Sequence, residues 1–214
     1  MNLRSTHPLT RKPAVLVTGT LLSALVLAGC GSSDTTTQPA QRGSTSGTIA
    51  ADAFNAQDVS YATDMLSHHR QAVDMAEMAL DRPTTPQVKD LATRIKAEQS
   101  PEIATLTAFL TAFGKPVPAA GADDPAGHGM GGHMATGMMT ADQMKGLGAA
   151  TGGPFVKEFL MLMTEHHGGA VEMSRTELAS GQYAPAKDLA TAVVKAQTAE
   201  IAEIAELKGL LAKP

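Results

Sequence analysis

Two parts of the chain repeat one another at a constant offset of 98 residues. A His-His pair, with Met three residues before it and Ala-Val and Met after it, occupies residues 65–75 and again residues 163–173. The same offset aligns the identical sequence Lys-Asp-Leu-Ala-Thr at residues 89–93 and 187–191. The chain is therefore an internal duplication, and its fold must be assembled from two equivalent halves.

The side-chain composition favours helices over strands. Of the 214 residues, 43% are hydrophobic, which is enough to bury a core, but the chain has no Trp, two Tyr and five Phe. These are too few aromatic side chains for a sandwich of sheets. Ala, Leu, Met, Glu and Lys are abundant, and these residues are strong helix formers. We expect an all-α protein.

Capping residues and prolines predict where the helices begin and end. Asn55 can cap a first helix with Asp58 in its first turn, and Thr140 with Gln143 has the form of a capping box for a short helix. We expect four long helices at about residues 55–81, 86–113, 154–180 and from 185 almost to the C-terminus. Two duplicated helical hairpins, each unstable alone, most simply associate as a four-helix bundle.

The first 29 residues have the features of a signal peptide. Two Arg and one Lys precede an apolar run at residues 14–28, which is too short for an ordinary membrane span. The run ends in Leu-Ala-Gly-Cys at residues 27–30, which resembles the bacterial lipobox, so we expect Cys30 to carry lipid after cleavage. The alternative is a simple cleaved signal peptide with an incidental Cys. Cys30 is the only cysteine, which leaves no thiolate for a disulfide or a metal site.

The segment after the lipobox separates the membrane from the folded domain. Residues 30–52 are rich in Ser, Thr, Gly and Gln and are expected to be a flexible tether. The domain should then span residues 53–214, with repeat 1 at 55–114, a His- and Met-rich loop at 115–139 and repeat 2 at 154–212. This order predicts a lipid-anchored protein of the cell membrane, exposed on the extracytoplasmic face.

The net charge argues against nucleic-acid binding. The formal charge of the whole chain is −4, and removal of residues 1–29 lowers Lys plus Arg from 17 to 14 against 21 Asp plus Glu, which leaves −7. An acidic surface repels phosphate backbones, and the sequence has no basic stripe with interleaved aromatic residues. Attachment to the membrane must therefore come from the lipid on Cys30.

Each repeat places histidine and methionine on one helical face. Side chains three, four and seven residues apart share a face, so Met65, His68 and Met75 form one stripe. The equivalent stripe consists of Met163, His166 and Met173. His69 and His167 point about 100° away, toward a neighbouring helix. Imidazole and thioether ligands together favour copper, Cu(I) ahead of Cu(II), although a Met stripe alone is more often core filler.

Four histidines kept as two equivalent pairs are harder to explain as core residues than one would be. Burying an imidazole costs free energy unless the ring is hydrogen-bonded or metal-bound. The second helix of each repeat also keeps a Gln and a Glu on one face, namely Gln99 and Glu102, and Gln197 and Glu200. We assign these residues the role of orienting the imidazoles through their second ring nitrogen. The alternatives are direct ligation, or solvated side chains paired with Lys.

The connecting loop adds a second His/Met tract, consisting of His128, Met130, His133 and Met134, followed by Met138 and Met139. Mixed tracts of this kind suit capture of copper outside the cytoplasm, where thiols are easily oxidised. The alternative is a low-complexity linker that happens to contain Met. Gly168 and Gly169 inside the third long helix lower helix stability, which the close approach of another helix or of a bound ion would explain.

The two His-His segments, with the Gln-x-x-Glu-Ile sequences at residues 99–103 and 197–201, resemble the bacterial "domain of unknown function 305" family. The resemblance covers about residues 55–212. It implies a ferritin-like helical bundle, and some members of the family are extracytoplasmic copper-binding proteins. Di-iron ferritin-like sites use Glu three residues before His. This chain has Met65 and Met163 there, so iron-oxidase chemistry is not expected.

Three functions fit these features. The favoured one is a non-enzymatic lipoprotein that sequesters copper or delivers it to other copper-handling proteins. The second is a metal-dependent oxidoreductase, which needs an open coordination position and a substrate pocket. The third is a structural lipoprotein without metal, in which the histidines make buried hydrogen bonds. Copper would leave the melting temperature of that third kind of protein unchanged.

Overall fold

The computed structural model describes residues 50, 53–119 and 135–211, and this part of the chain folds into five helices without a strand. The helices are α1 (Ala56–Leu80), α2 (Pro86–Ala112), α3 (Ala141–Ala149), α4 (Gly152–Ser180) and α5 (Ala184–Leu211). The expectation of an all-α protein is confirmed. Four long helices build the bundle, and the short α3 lies between the two repeats.

Local capping chemistry sets the first residues of the helices. The Asn55 side chain accepts hydrogen bonds from the backbone N–H groups of Gln57 and Asp58, and the Asp58 carboxylate accepts one from the Asn55 N–H. Thr140 and Gln143 form the same reciprocal capping box at α3. Both features were expected from the sequence, because each side chain satisfies a backbone donor that has no partner within its helix.

The two hairpins meet through their first long helices. α1 packs against α2 and α4 packs against α5, and the hairpins join along α1 and α4. Tyr61 of α1 contacts Ser174 of α4, and His68 contacts His166, so the two helices run antiparallel. This arrangement relates the repeats by an approximate two-fold axis, which passes near the first histidine of each pair.

The histidine pairs lie at the border between two apolar clusters. On α1, Met65 belongs to one cluster and Ala72 to the other, and His68 lies between them. On α4 the order is reversed, with Met163 before His166 and Ala170 after it. Polar rings are thus held in the middle of an otherwise apolar bundle, where their hydrogen bonding has large energetic consequences.

The segment that leads into α3 is fastened to both repeats. The Gln71 amide donates to the Met139 carbonyl at 2.9 Å and accepts from the Met139 N–H at 2.7 Å. Gly169, which occupies the equivalent position in the second repeat, lies directly against the backbone of Thr136 and Gly137. Met139 and Leu147 then enter the apolar cluster on one side of the histidines.

Within the described residues, no helix combines the length and the apolar character needed to cross a membrane. The predicted signal peptide and lipid-bearing Cys30 lie outside the described residues, as does the predicted tether apart from Ala50.

Candidate metal centre

His68 and His166 face each other at the centre of the bundle. Both side chains are completely buried, and their ring centroids lie 3.6 Å apart with 33° between the ring planes. None of their four ring nitrogens has a hydrogen-bond partner within the described part of the chain. Each unpaired buried nitrogen costs free energy. A neutral imidazole has one N–H group and one lone pair, so each ring can offer one nitrogen to a metal ion.

Burial holds the pKa of both central histidines well below its ordinary value, and the neighbouring histidines lower it further. The Thr136 backbone lies close to the His68 ring and raises the pKa of His68 slightly, which opposes the effect of burial. The two groups do not have the geometry of an ordinary hydrogen bond. His68 and His166 are therefore neutral near pH 7. A neutral imidazole is the form that binds metal, so no proton has to be displaced.

The second histidine of each pair is held by a carboxylate from the next helix. His69 Nε2 lies 2.6 Å from a Glu102 oxygen, and His167 Nε2 lies 2.7 Å from a Glu200 oxygen. Because a carboxylate accepts hydrogen bonds, the Nε2–H group of each ring donates to its glutamate. Both Nδ1 atoms are buried without a partner in the described structure. This carboxylate–histidine pairing is the one that orients metal ligands in proteins.

The glutamines of the second helices are buried, but among the described residues they form no hydrogen bond to either histidine pair. Gln99 is 2% exposed and Gln197 is 3% exposed. Neither amide hydrogen-bonds to a histidine among the described contacts, and both Gln99 amide atoms and Gln197 Oε1 lack partners there. The role of orienting an imidazole therefore falls to Glu102 and Glu200. For Gln99 and Gln197 it stays a prediction.

Each apolar cluster supplies one methionine from each repeat. Met65 and Met173 belong to the first cluster, and Met75 and Met163 belong to the second. Met173 is partly buried, whereas the other three are completely buried. Thioether groups therefore lie on both sides of the histidines, one helical turn from His68 and His166 or two turns away.

The imidazoles and carboxylates do not form a ready-made cage. Within residues 53–119 and 135–211, no three His, Cys, Asp or Glu side chains converge on one point that could hold a metal ion. The planes of the central rings are tilted by 33° with their centroids 3.6 Å apart. A metal site with three or more ligands here therefore requires thioether groups, a change in side-chain geometry, or both.

Comparison with known proteins places this arrangement in a family. The sequence profile described as "Domain of unknown function (DUF305)" matches residues 58–208, which include both histidine pairs and both glutamates. The chain belongs to the DUF305 family. No curated protein matches the chain significantly.

Solved DUF305 structures have the same fold. The secreted DUF305 protein of Streptomyces coelicolor is 33% identical, covers 76% of this chain and 96% of its own, and superposes with a TM-score of 0.64. CopM in the Cu(I)-bound form is 27% identical, and the match covers 73% of this chain and 98% of the CopM chain with a TM-score of 0.59. CopM in the Cu(II)-bound form is 32% identical, and the match covers 70% of this chain and 94% of the CopM chain with a TM-score of 0.57. CopM has also been solved with Ag bound.

The loop of this DUF305 chain was predicted to hold a second set of metal ligands. His128, Met130, His133 and Met134 lie outside the described residues. The end of the same tract is described, and Met139 is 4% exposed within an apolar cluster. Met139 is therefore a core residue and not part of a loop binding site.

The structure explains one of the two glycines of α4, through a contact that the sequence did not predict. A Cβ atom on Gly169 would lie 2.0 Å from the Thr136 carbonyl oxygen, whereas one on Gly168 would meet nothing within 4 Å. The close approach of the segment before α3 therefore explains why residue 169 is Gly. The contact is not made by another long helix. Gln71 and Gly169 differ at equivalent positions, and this mismatch was the available signal for an asymmetric contact.

Proposed function

We propose that this chain is an extracytoplasmic, membrane-anchored copper-binding protein that sequesters the metal or delivers it to other copper-handling proteins. The ligands are drawn from His68, His69, His166 and His167, with thioethers from Met65, Met75, Met163 and Met173. The loop residues His128, Met130, His133 and Met134 supply a second set. Lipid on Cys30 holds the protein at the membrane.

One observation carries the proposal. Six buried imidazole nitrogens, from two pairs contributed equivalently by the two repeats, have no hydrogen-bond partner in the described structure. A structural histidine normally gains at least one hydrogen bond in return for burial. The structures of CopM with Cu(I), Cu(II) and Ag support the proposal, because in them a protein of similar fold binds copper and silver ions.

The donor set favours Cu(I) over Cu(II). Thioether and neutral imidazole are soft or borderline ligands, and Cu(I) accepts low coordination numbers without a fixed plane. Binding would take up the lone pairs of the central rings while Glu102 and Glu200 keep the outer rings oriented. No carboxylate has to enter the coordination sphere.

The test is an anaerobic Cu(I) competition titration of the full chain in detergent against a chromophoric chelator. The titration is repeated on His68→Leu/His166→Leu and on a loop variant in which His128, Met130, His133 and Met134 are all changed to Ala. We expect the central-pair variant to lose tight binding and the loop variant to retain it.

Two results would contradict the proposal in different ways. Binding that survives in the central-pair variant and is lost in the loop variant would move the site to the loop. No binding by the unaltered chain would leave the histidines with a structural role.

A further inference from the structure

A small polar pocket lies in the surface between α1 and α4, beside the candidate metal centre. Its volume is about 200 Å³, and its wall includes Asp64 and Ser60 of α1, Glu172 and Met173 of α4, and Thr136. Neither pocket carboxylate forms an ion pair with Lys or Arg among the described contacts. The wall is therefore negative and has a thioether beside its carboxylates, a combination that suits a soft cation.

Asp64 is an unusual surface carboxylate. Its side chain is half-buried and accepts a hydrogen bond from the Ser60 hydroxyl at 3.0 Å. A carboxylate that is desolvated without a cationic partner gains from an arriving cation.

Two residues of the wall connect the pocket to the buried histidines. Met173 is itself one of the proposed ligands, and it is the one of the four bundle methionines that is not completely buried. Thr136 lines the pocket while its backbone lies against the His68 ring. A single residue therefore separates the pocket from an imidazole that is completely buried and has no hydrogen-bond partner in the described structure.

Several wall positions of this pocket differ from their equivalents in the other half of the described bundle, although Glu172 aligns with the acidic Asp74. The duplication aligns Asp64 with Leu162 and Met173 with Met75, and both counterparts are buried in an apolar cluster. Tyr61, which also lines the pocket, aligns with the completely buried Phe159. α3 contributes Leu147 to the cluster that covers this opposite side. At these positions the opposite side of the described bundle is therefore apolar.

We propose that this pocket is the inlet of the metal centre, where Asp64 and Glu172 attract a soft monovalent cation and Met173 passes it toward His68. This inference rests on the proposed function. In it the carboxylates accelerate arrival of the ion and are not ligands of the final site, because they lie outside the buried histidine and methionine set.

The test measures the rate of Ag⁺ binding separately from its affinity. Ag⁺ is a soft cation that needs no reductant, and stopped-flow mixing with the full chain in detergent would follow tyrosine fluorescence. Tyr183→Phe is introduced throughout, because Tyr61 is then the only remaining tyrosine and it lies in the pocket wall. The variants are Asp64→Asn/Glu172→Gln and the exposed Glu172→Gln alone, which should fold normally.

We expect the double variant to bind Ag⁺ about tenfold more slowly at low ionic strength, with a smaller change in affinity because dissociation also slows. Its rate should depend less on salt than that of the parent. The control is Asp90→Asn/Asp188→Asn, which makes the same change in net charge at exposed positions on α2 and α5 and should leave the rate within about twofold.

The outcomes separate the two proposals. An unchanged rate and salt dependence in both pocket variants, with Ag⁺ and Cu(I) affinity intact, would overturn the inlet and leave the copper site standing. Equal slowing in the control variant would also overturn it, since net charge alone would then explain the effect. Failure of the parent to bind either ion would remove the proposed function and the inlet together.

Discussion

At the scale of single residues, His68 and His166 contain polar atoms that nothing in the described structure satisfies. Replacing both with Leu removes four unpaired nitrogens and fills a similar volume with apolar atoms. We expect the metal-free double variant to be more stable by about 1–3 kcal/mol in urea unfolding, because the desolvation cost of the rings disappears.

The same variant should lose copper binding, so stability and function should change in opposite directions. A loss of stability instead would show that the rings contribute hydrogen bonds, for example to buried water, and would favour a structural role.

The outer histidines depend on their carboxylate partners. Changing both Glu102 and Glu200 to Gln keeps the shape of each side chain but replaces a charge-assisted hydrogen bond with a neutral one. We expect metal affinity to fall by about 10- to 100-fold in a competition titration. Glu77→Gln is the matched control, because its partner Lys96 is on the surface and the pair is exposed. Equal metal affinity in the parent chain, the Glu102/Glu200 variant and the Glu77 variant would show that the two carboxylates do not contribute to metal binding.

At the scale of secondary-structure elements, adjacent glycines in α4 make a matched experiment. Gly169→Ala drives a methyl group into the Thr136 backbone, so the segment before α3 must shift, whereas the Gly168 position is open. We expect Gly169→Ala to destabilise the fold by about 1–3 kcal/mol. Gly168→Ala should stabilise it by up to about 1 kcal/mol through helix propensity.

Chemical denaturation of both glycine variants measures the difference directly. Similar effects of the two substitutions would mean that the segment before α3 does not pack on α4 in solution.

A buried carboxyl pair joins the start of α1 to the end of α4. The Asp58 carboxylate accepts hydrogen bonds from the backbone N–H groups of Asn55, Gln182 and Tyr183. Glu177 is completely buried beside Asp58, and its carboxyl also packs against Gly181. Burial first, and then the neighbouring Asp58, raises the pKa of Glu177 to about 8, whereas Lys187 acts in the opposite direction.

The Glu177 pKa makes stability depend on pH. Its folded value of about 8 lies above the ordinary 4.5, so between these values the folded protein holds a proton that the unfolded chain has lost. Stability should therefore fall as pH rises from about 4.5 to about 8. Glu177→Gln should flatten this part of the profile and raise the melting temperature at pH 8.5 more than at pH 5.

Thermal unfolding of Glu177→Gln across this pH range gives the comparison, with the exposed Glu206→Gln as control. Parallel profiles for Glu177→Gln and the parent chain would show that the Glu177 pKa is not raised in the folded protein.

At the scale of the whole molecule, copper should act as a cross-link between the two hairpins. The hairpins join along α1 and α4, and the central histidines come from different hairpins. At a free Cu(I) concentration one hundred times the dissociation constant, binding should add about 2.7 kcal/mol to the free energy of unfolding. We expect a rise in melting temperature of about 5–10 °C. Calorimetry with and without Cu(I) tests this, and the same rise in His68→Leu/His166→Leu would place the stabilising ion elsewhere.

The sequence predicted most of the fold because short-range chemistry determines it. The first residues of α1 and α3 follow from the capping groups of Asn55 and Thr140, and each acts on donors within three residues. The start of α2 follows from Pro86, which suits the first turn of a helix. The equivalence of the two histidine pairs follows from the duplication. These are the parts of the fold in which a residue and its partner are close in sequence or repeated at a fixed offset.

The contacts that complete the site join residues far apart in the chain and could not be predicted in this way. Helical spacing predicts that His68 lies on the buried face of α1, but it does not predict that the His166 ring lies against the His68 ring. Antiparallel and parallel pairing of the hairpins would bury the same residues. Met139 shows the opposite problem, since its tract resembles a loop and only the docking of α3 makes it a core residue.

The unequal contacts of Gln71 and Gly169 reflect a freedom that comes from carrying both repeats in one chain. A homodimer of single repeats would obey its two-fold axis strictly, so a change on one side would occur on both. Fusion removes that constraint, because each copy can then diverge alone. One connector can lie across the axis, and one flank can become apolar while the other keeps Asp64. The fused chain therefore has two unlike sides, of which one carries the pocket at Asp64 and the other is apolar at the equivalent positions.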